Sequence, residues 1–181
     1  HKMTVMSSVD YRFITEEEFW PLFKIHRPII FVDNNTVDVE TLLSESEKEK
    51  RKKLNEFIQI KYNLFLVVYD GDKLIGWSWG FAKSNHEYYM CNSAVYPEYR
   101  GRKIYSTLMN MIIEKVTEDG FQEITSKHHA SNNAVLIPKL KKGFLISGTE
   151  INTRFGLMVS LTYFPNKKVE HVFHQRIGFK K

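Results

Sequence analysis

Apolar and polar positions along the chain change period several times, and each change marks an element. Tyr11 to Ile14 is a short apolar segment and reads as a strand. Thr15 follows, with Glu18 three residues on, the pattern of a capping box that opens a helix. Phe19, Leu22 and Phe23 share one face of that helix, and Pro21 is expected to bend or shorten it. Arg27 to Val39, with a proline and paired asparagines, reads as a loop. SESEKEKRKKLNEFIQIKY carries mixed charge and then Leu54, Phe57 and Ile58 at helical spacing, a helix whose charge run is a solvated face. In LFLVVYDGDKLIGWSWGFA two β-rich runs flank Asp70-Gly71, a strong hairpin signal. Glu87 to Val95 reads as a further strand, and strict alternation puts Glu87, Tyr89, Ser93 and Val95 on one face.

Helical spacing then runs through Ile104, Leu108, Met111 and Ile112, with Gly120 placed to end the helix from the C′ position. FQEITSK reads as a strand and SNNAVLIPKLKKG as a short helix bounded by asparagine and Gly143. FLISGTEIN and GLMVSLTYF are two strands around a turn, and PNKKVEHVFHQRIGFKK is a short helix or a tail. The order β-α-α-β-β-β-α-β-α-β-β demands a mixed, mostly antiparallel central sheet flanked by helices, an α/β (α+β) architecture. Residues 3–164 are expected to form one domain and 165–181 a basic extension. His1-Lys2 before Met3 looks like the remnant of an expression tag.

The chain has 181 residues and a formal charge of +5, so one domain with an anionic ligand is the simple expectation. Nucleic acid would need a broad cationic stripe, whereas acidic residues are interspersed here and no nucleic-acid motif occurs; the basic balance of the chain and the basic tail from Lys167 are the features favouring it. The single cysteine, Cys91, cannot form an internal disulfide, and no stretch approaches the roughly 20 apolar residues of a membrane span. A cytoplasmic protein that contacts neither membrane nor nucleic acid is expected, and a homodimer is compatible with this reading. His128 and His129 are adjacent and would point to opposite faces of a strand, so no metal site is expected.

Positive charge is crowded where a strand becomes a helix. Arg100, Arg102 and Lys103 surround Gly101 immediately before Ile104. A helix N-terminus leaves about four N–H groups without intrahelical partners, and with the helix dipole these make a site for anions. A glycine lets a phosphate approach the main chain. Surface cations on an ordinary turn are the other reading of the same residues.

VYPEYRGRKIYSTLM resembles the acetyl-CoA motif of the GNAT superfamily of N-acetyltransferases. Val95, Pro97 and Arg100 match it, whereas Lys103 and Tyr105 stand where the family has its two glycines. SNNAVLIPKLKKGF is similar to the family's later block of an asparagine, a short helix and Gly-Phe. The resemblance covers most of the chain and implies a GNAT-like fold, acetyl-CoA as cosubstrate without a metal, and transfer of the acetyl group to a primary amine by direct attack. It implies that Val95, Arg100, Gly101, Arg102, Lys103, Ile104, Tyr105, Ser106 and Asn132 hold the coenzyme, between strands that end near Val95 and Lys127. The acceptor, a small molecule or a peptide amine, carries no readable code.

Proton transfer is less defined. In the position where the family often has a proton-donating tyrosine, this chain has Lys139. A solvent-facing lysine is the plainer reading, and a cation that steadies a leaving thiolate is the alternative. Glu87, Tyr88, Tyr89 and Ser93 are the candidates on the strand before Val95 for handling the proton of the incoming amine, with Glu87 and Ser93 taken as catalytic candidates and a water relay as the alternative. The departures at Lys103 and Lys139 leave a second functional reading, a non-catalytic acyl-CoA-binding module. Trp77, Trp79 and Phe81 form a row of rings that is expected to be core, with a pocket wall as the alternative.

Overall fold

The structure is a computed structural model that describes residues 9–32, 43–57 and 62–178. Its strands are β1 (Val9–Ile14), β2 (Asn63–Asp70), β3 (Lys73–Ala82), β4 (Glu87–Val95), β5 (Glu123–His129), β6 (Leu145–Asn152) and β7 (Gly156–Tyr163). The helices are α1 (Glu16–Ile30), α2 (Glu45–Phe57), α3 (Ile104–Glu118), α4 (Asn133–Lys142) and α5 (Lys167–Arg176). The seven strands form one sheet in the order β1-β2-β3-β4-β5-β7-β6. Every neighbouring pair is antiparallel except β4 and β5. The mixed sheet with flanking helices is thus the architecture that the sequence order requires.

The capping box forms: the Glu18 N–H donates to Thr15 Oγ1 and the Thr15 N–H to Glu18 Oε2. Helix α1 then continues to Ile30 through both Pro21 and Pro28, so the expected loop from Arg27 starts too early. Proline inside a helix costs about 3 kcal/mol. Here the helix is fixed by tertiary contacts instead: Phe19 is fully buried against Phe65, and His26 Nδ1 lies 2.6 Å from the Tyr96 hydroxyl. The rest of that expected loop, and the apolar spacing of Leu54, Phe57 and Ile58, lie outside the described residues and side chains. The first hairpin pairs Asp70 with Lys73, so its two-residue turn is Gly71-Asp72, one position later than Asp70-Gly71.

Two apolar clusters cover the two faces of the sheet. On one, Ile104, Leu108, Ile112 and Val116 of α3 meet Leu66, Ile75, Tyr88 and Val95. Each such side chain contributes roughly 1.5–3 kcal/mol when fully buried. On the other face, Phe19 packs with Phe65, Val67 and Trp77. The chain after β7 is a helix rather than a tail, and its Phe173 ring meets the buried Phe164 at 5.4 Å. No helix among the described residues is long and apolar enough to cross a membrane.

The sheet tolerates no side chain at Gly80. A Cβ there would stand 2.2 Å from the Tyr89 carbonyl oxygen and 2.5 Å from the Tyr88 hydroxyl. Gly80→Ala is therefore expected to lower stability by about 3 kcal/mol, as read by urea unfolding; a loss under about 0.5 kcal/mol would show that β3 and β4 are not so closely apposed.

Candidate active site

Strands β4 and β5 stay in register for three pairs only, Glu87 with Glu123, Tyr88 with Ile124 and Tyr89 with Thr125. Beyond them β4 continues to Val95 while β5 follows β7 instead. The cause lies in β4. Its partner β3 pairs Trp79 with Asn92 and Gly80 with Met90, which leaves Cys91 as an extra residue. A bulge of this kind bends the strand that carries it, and β4 leaves β5 two residues before that point. The parting opens a cleft of about 1480 Å³.

The bulge also reverses the faces of β4. Before it Tyr88 and Met90 belong to the α3 core, after it Val95 does, while Ala94 joins the α1 side. Glu87 and Tyr89 therefore do not share a face with Ser93 and Val95, contrary to strict alternation. The Tyr96 N–H donates to Ile75 of β3 at 2.9 Å, so the main chain of its neighbour Val95 is directed the other way, into the gap. The Val95 carbonyl there accepts a hydrogen bond from Arg100 Nε at 3.2 Å.

At one end of the cleft stands the start of α3. The first donor of its ladder is the Thr107 N–H, to the Lys103 carbonyl at 3.0 Å, so the N–H groups of Ile104, Tyr105 and Ser106 precede the ladder. Ile104 is buried and anchors the turn. Lys103 is the N-cap in the left-handed region, with φ +63°, which costs a non-glycine residue roughly 1–2 kcal/mol. The position that departs from glycine in the sequence is thus one where glycine would relieve strain. Gly101 is also left-handed, and nothing lies within 4 Å of where its Cβ would be. Of residues 100–106 all but Arg102 line the cleft; the Arg102 guanidinium turns back to the Glu98 carbonyl and the Tyr99 ring. Asn132, the N-cap of α4, lines the cleft too, and its side chain makes no capping bond. Unladdered amides, cations and an open main-chain position together fit a diphosphate.

Lys139 does not face solvent. It is 1% exposed because α4 lies over β4, β5 and the start of β6. Its Nζ donates to Ser126 Oγ at 2.7 Å, with Met90 Sδ at 3.6 Å and the Phe144 ring centroid at 4.8 Å. These neighbours include no carboxylate, and burial lowers the amine to a pKa of about 7. Ser126 Oγ in turn lies 3.0 Å from His128 Nε2. Burial first, then the charges of Lys139 and His129, push His128 down to about 3, so its imidazole is neutral. Lys139 and His128 both line the cleft, and Ser126 links them.

The other candidates separate. Ser93 lines the cleft and shares a 2.8 Å hydrogen bond with Ser78. Glu87 lies outside the lining, where β4 and β5 are still paired. Burial would raise its carboxyl, but hydrogen bonds from Thr125 and Lys83 outweigh this and hold it below the ordinary value, which makes it a poor base. Trp77 is core as expected, whereas Trp79 and Phe81 are half-buried and line the cleft. Sequence reasoning missed His128 and Glu150 as cleft residues, and Ser126 as the buried hydroxyl between His128 and Lys139. For Ser126 and His128 the signal was their spacing of two on β5. Among the described residues no group of His, Cys, Asp or Glu gathers as a metal site.

Residues 30–144 match the model of the Acetyltransferase (GNAT) family. Solved structures share the fold. Nourseothricin acetyltransferase is 18% identical with a TM-score of 0.52, over 57% of this chain and 66% of that one, so this chain spans just under two thirds of its length. The Salmonella typhimurium protein yncA, solved with its cofactor acetyl-CoA, is 10% identical over 88% of this chain and 95% of that one, with a TM-score of 0.63. The NatC complex bound to Gag peptide and CoA contains a chain 18% identical, over 88% of this chain and 99% of that one, with a TM-score of 0.62. A comparison with curated proteins finds no match.

The buried amine gives a stability signature. Its pKa is about 7 folded against an ordinary 10.5. Between these values the unfolded chain binds the extra proton, so this contribution to stability grows as pH rises from about 7 toward 10.5 and is lost as pH falls back to 7. Relative to Lys139→Met, the unmodified protein is expected to gain up to about 1.4 kcal/mol per pH unit in that window, read by urea unfolding at a series of pH values. Parallel curves for the two proteins would mean that the ammonium is solvated.

Proposed function

The chain belongs to the GNAT family of acetyltransferases, and we propose that it transfers the acetyl group of acetyl-CoA to a primary amine by direct attack with both substrates bound. One observation carries the reading: the gap between the parted strands β4 and β5 runs to the unladdered amides of α3. Bound acetyl-CoA supplies an activated thioester carbonyl. The N–H groups of Ile104, Tyr105 and Ser106, with Arg100, Gly101 and Lys103, hold the diphosphate, whereas Arg102, expected with them, turns away to Glu98 and Tyr99. Asn132, with no capping bond of its own, donates to the pantetheine arm. The Val95 N–H, directed into the gap, donates to the carbonyl oxygen, where developing charge is most effectively stabilised. Placing two substrates in one cleft supplies much of the remaining acceleration.

Lys139 fits the role of acid for the departing sulfur. A donor works best when its pKa lies near the operating pH, and burial brings this amine to about 7. Ser126 Oγ and His128 Nε2, in hydrogen-bond contact behind it, return the proton from the cleft. Ser93 Oγ is engaged with Ser78 and orients the strand rather than moving a proton. Glu87 stands apart from the reaction, and the proton of the incoming ammonium leaves through water.

Thiol release from acetyl-CoA with a broad amine panel tests the catalytic reading. CoA binding without turnover on any amine would favour a binding module of the same fold. Arg100→Glu puts an anion beside the diphosphate and removes the hydrogen bond to Val95. It is expected to weaken CoA binding by about tenfold or more in titration calorimetry. Unchanged affinity would mean that the coenzyme lies elsewhere.

A further inference from the structure

Toward α1 the cleft is walled by aromatic rings. Phe23 of α1, Trp79 and Phe81 of β3 and Tyr89 of β4 all line it and all are half-buried. They form one continuous row, with centroids 6.2 Å apart from Phe23 to Trp79, 6.2 Å from Trp79 to Phe81 and 5.5 Å from Phe81 to Tyr89. Their inner neighbours Phe19, Phe65 and Trp77 are at most 4% exposed, so the core is closed behind the row. What the row still shows to the cleft is apolar surface, and covering it gains roughly 25 cal/mol per Å². A flat ring laid on it gains further from edge and offset contacts.

The charges around this wall have an uneven balance. Apart from Arg100, Lys103 and the buried Lys139, the charged side chains that line the cleft are Arg27, Lys83, Lys127, Arg154 and Glu150. Lys127 is paired with Glu150 at 2.7 Å, and Lys83 with Glu87 at 2.9 Å. Arg27 and Arg154 have no carboxylate partner among the described residues; each guanidinium lies over a ring instead, Phe31 at 5.7 Å and Phe155 at 5.1 Å. A guanidinium is the side chain best shaped to hold a carboxylate. Glu150 is the one carboxylate among the described lining residues, and Lys127 already occupies it. Polycations would meet four positive side chains and one negative.

We infer that the amine acceptor is an aromatic amine that also carries a carboxylate, the class of the aromatic α-amino acids, with its ring on the Phe23–Trp79–Phe81–Tyr89 wall and its carboxylate at Arg27 or Arg154. This rests on the amine-acetylation reading above, and its test is one of binding. The whole protein is titrated calorimetrically with L-tryptophan, tryptamine, L-alanine and spermidine, each without and with CoA. L-Tryptophan is expected to bind about tenfold or more tighter than tryptamine or L-alanine, and spermidine not at all. Arg27→Ala or Arg154→Ala removes the preference over tryptamine; Arg154 lies exposed in the β6–β7 turn, so that variant keeps the fold. The inference is overturned if tryptamine or L-alanine equals L-tryptophan, if spermidine binds best, or if none of the four binds while CoA saturates the protein. Failure of the CoA titration itself counts against the coenzyme reading, and the titrations without CoA still decide this one.

Discussion

Two parallel strands that hold together for three residues and then separate dictate the chemistry open to this chain. A continuous ladder between β4 and β5 would satisfy their main chains and leave a closed sheet. The extra residue at Cys91 bends β4 away and leaves main-chain groups facing a cleft instead. The seven strands thereby divide into a four-stranded and a three-stranded part, joined by the short ladder from Glu87 to Tyr89. Helix α3 packs its apolar stripe across β2, β3 and β4, which holds its N-terminus at the mouth of the gap.

Much of this was legible in the sequence, and the reason is locality. The period of the apolar residues gave every strand, and the turn from Val95 to Ile104 announces itself by a proline, a glycine and three cations within ten residues. The Thr15–Glu18 box is equally local. What was not legible depends on distant partners. Nothing in EYYMCNSAV marks Cys91 as the extra residue; only its pairing with β3 does, and so Glu87 and Tyr89 were placed on the wrong face relative to Ser93 and Val95. Helix α1 runs through two prolines because Phe19 and His26 find partners far along the chain. Lys139 looks like one more surface lysine among Lys141 and Lys142 until α4 is laid over Met90, Ser126 and Phe144.

Two of the departures from the family's pattern have different physical meanings. Lys103 keeps the left-handed backbone that a glycine would adopt without cost, so the loop retains its shape at some expense in stability. Lys139 changes chemistry rather than shape. Desolvation by Met90 and Phe144 makes the amine titrate near neutrality without any opposing carboxylate, and the neutral His128 beyond Ser126 adds no positive charge that would push it lower still. The aromatic wall lies on the α1 side of the same gap. On the proposed function, coenzyme and acceptor would meet at this one opening in the sheet.

Amide hydrogen exchange with and without CoA tests the central claim most directly, because it reads the main-chain donors themselves. The account predicts that CoA slows exchange at Val95 and across residues 101–106, with little change in β1 or α5. Protection confined to other segments, or none at saturating CoA, would contradict it.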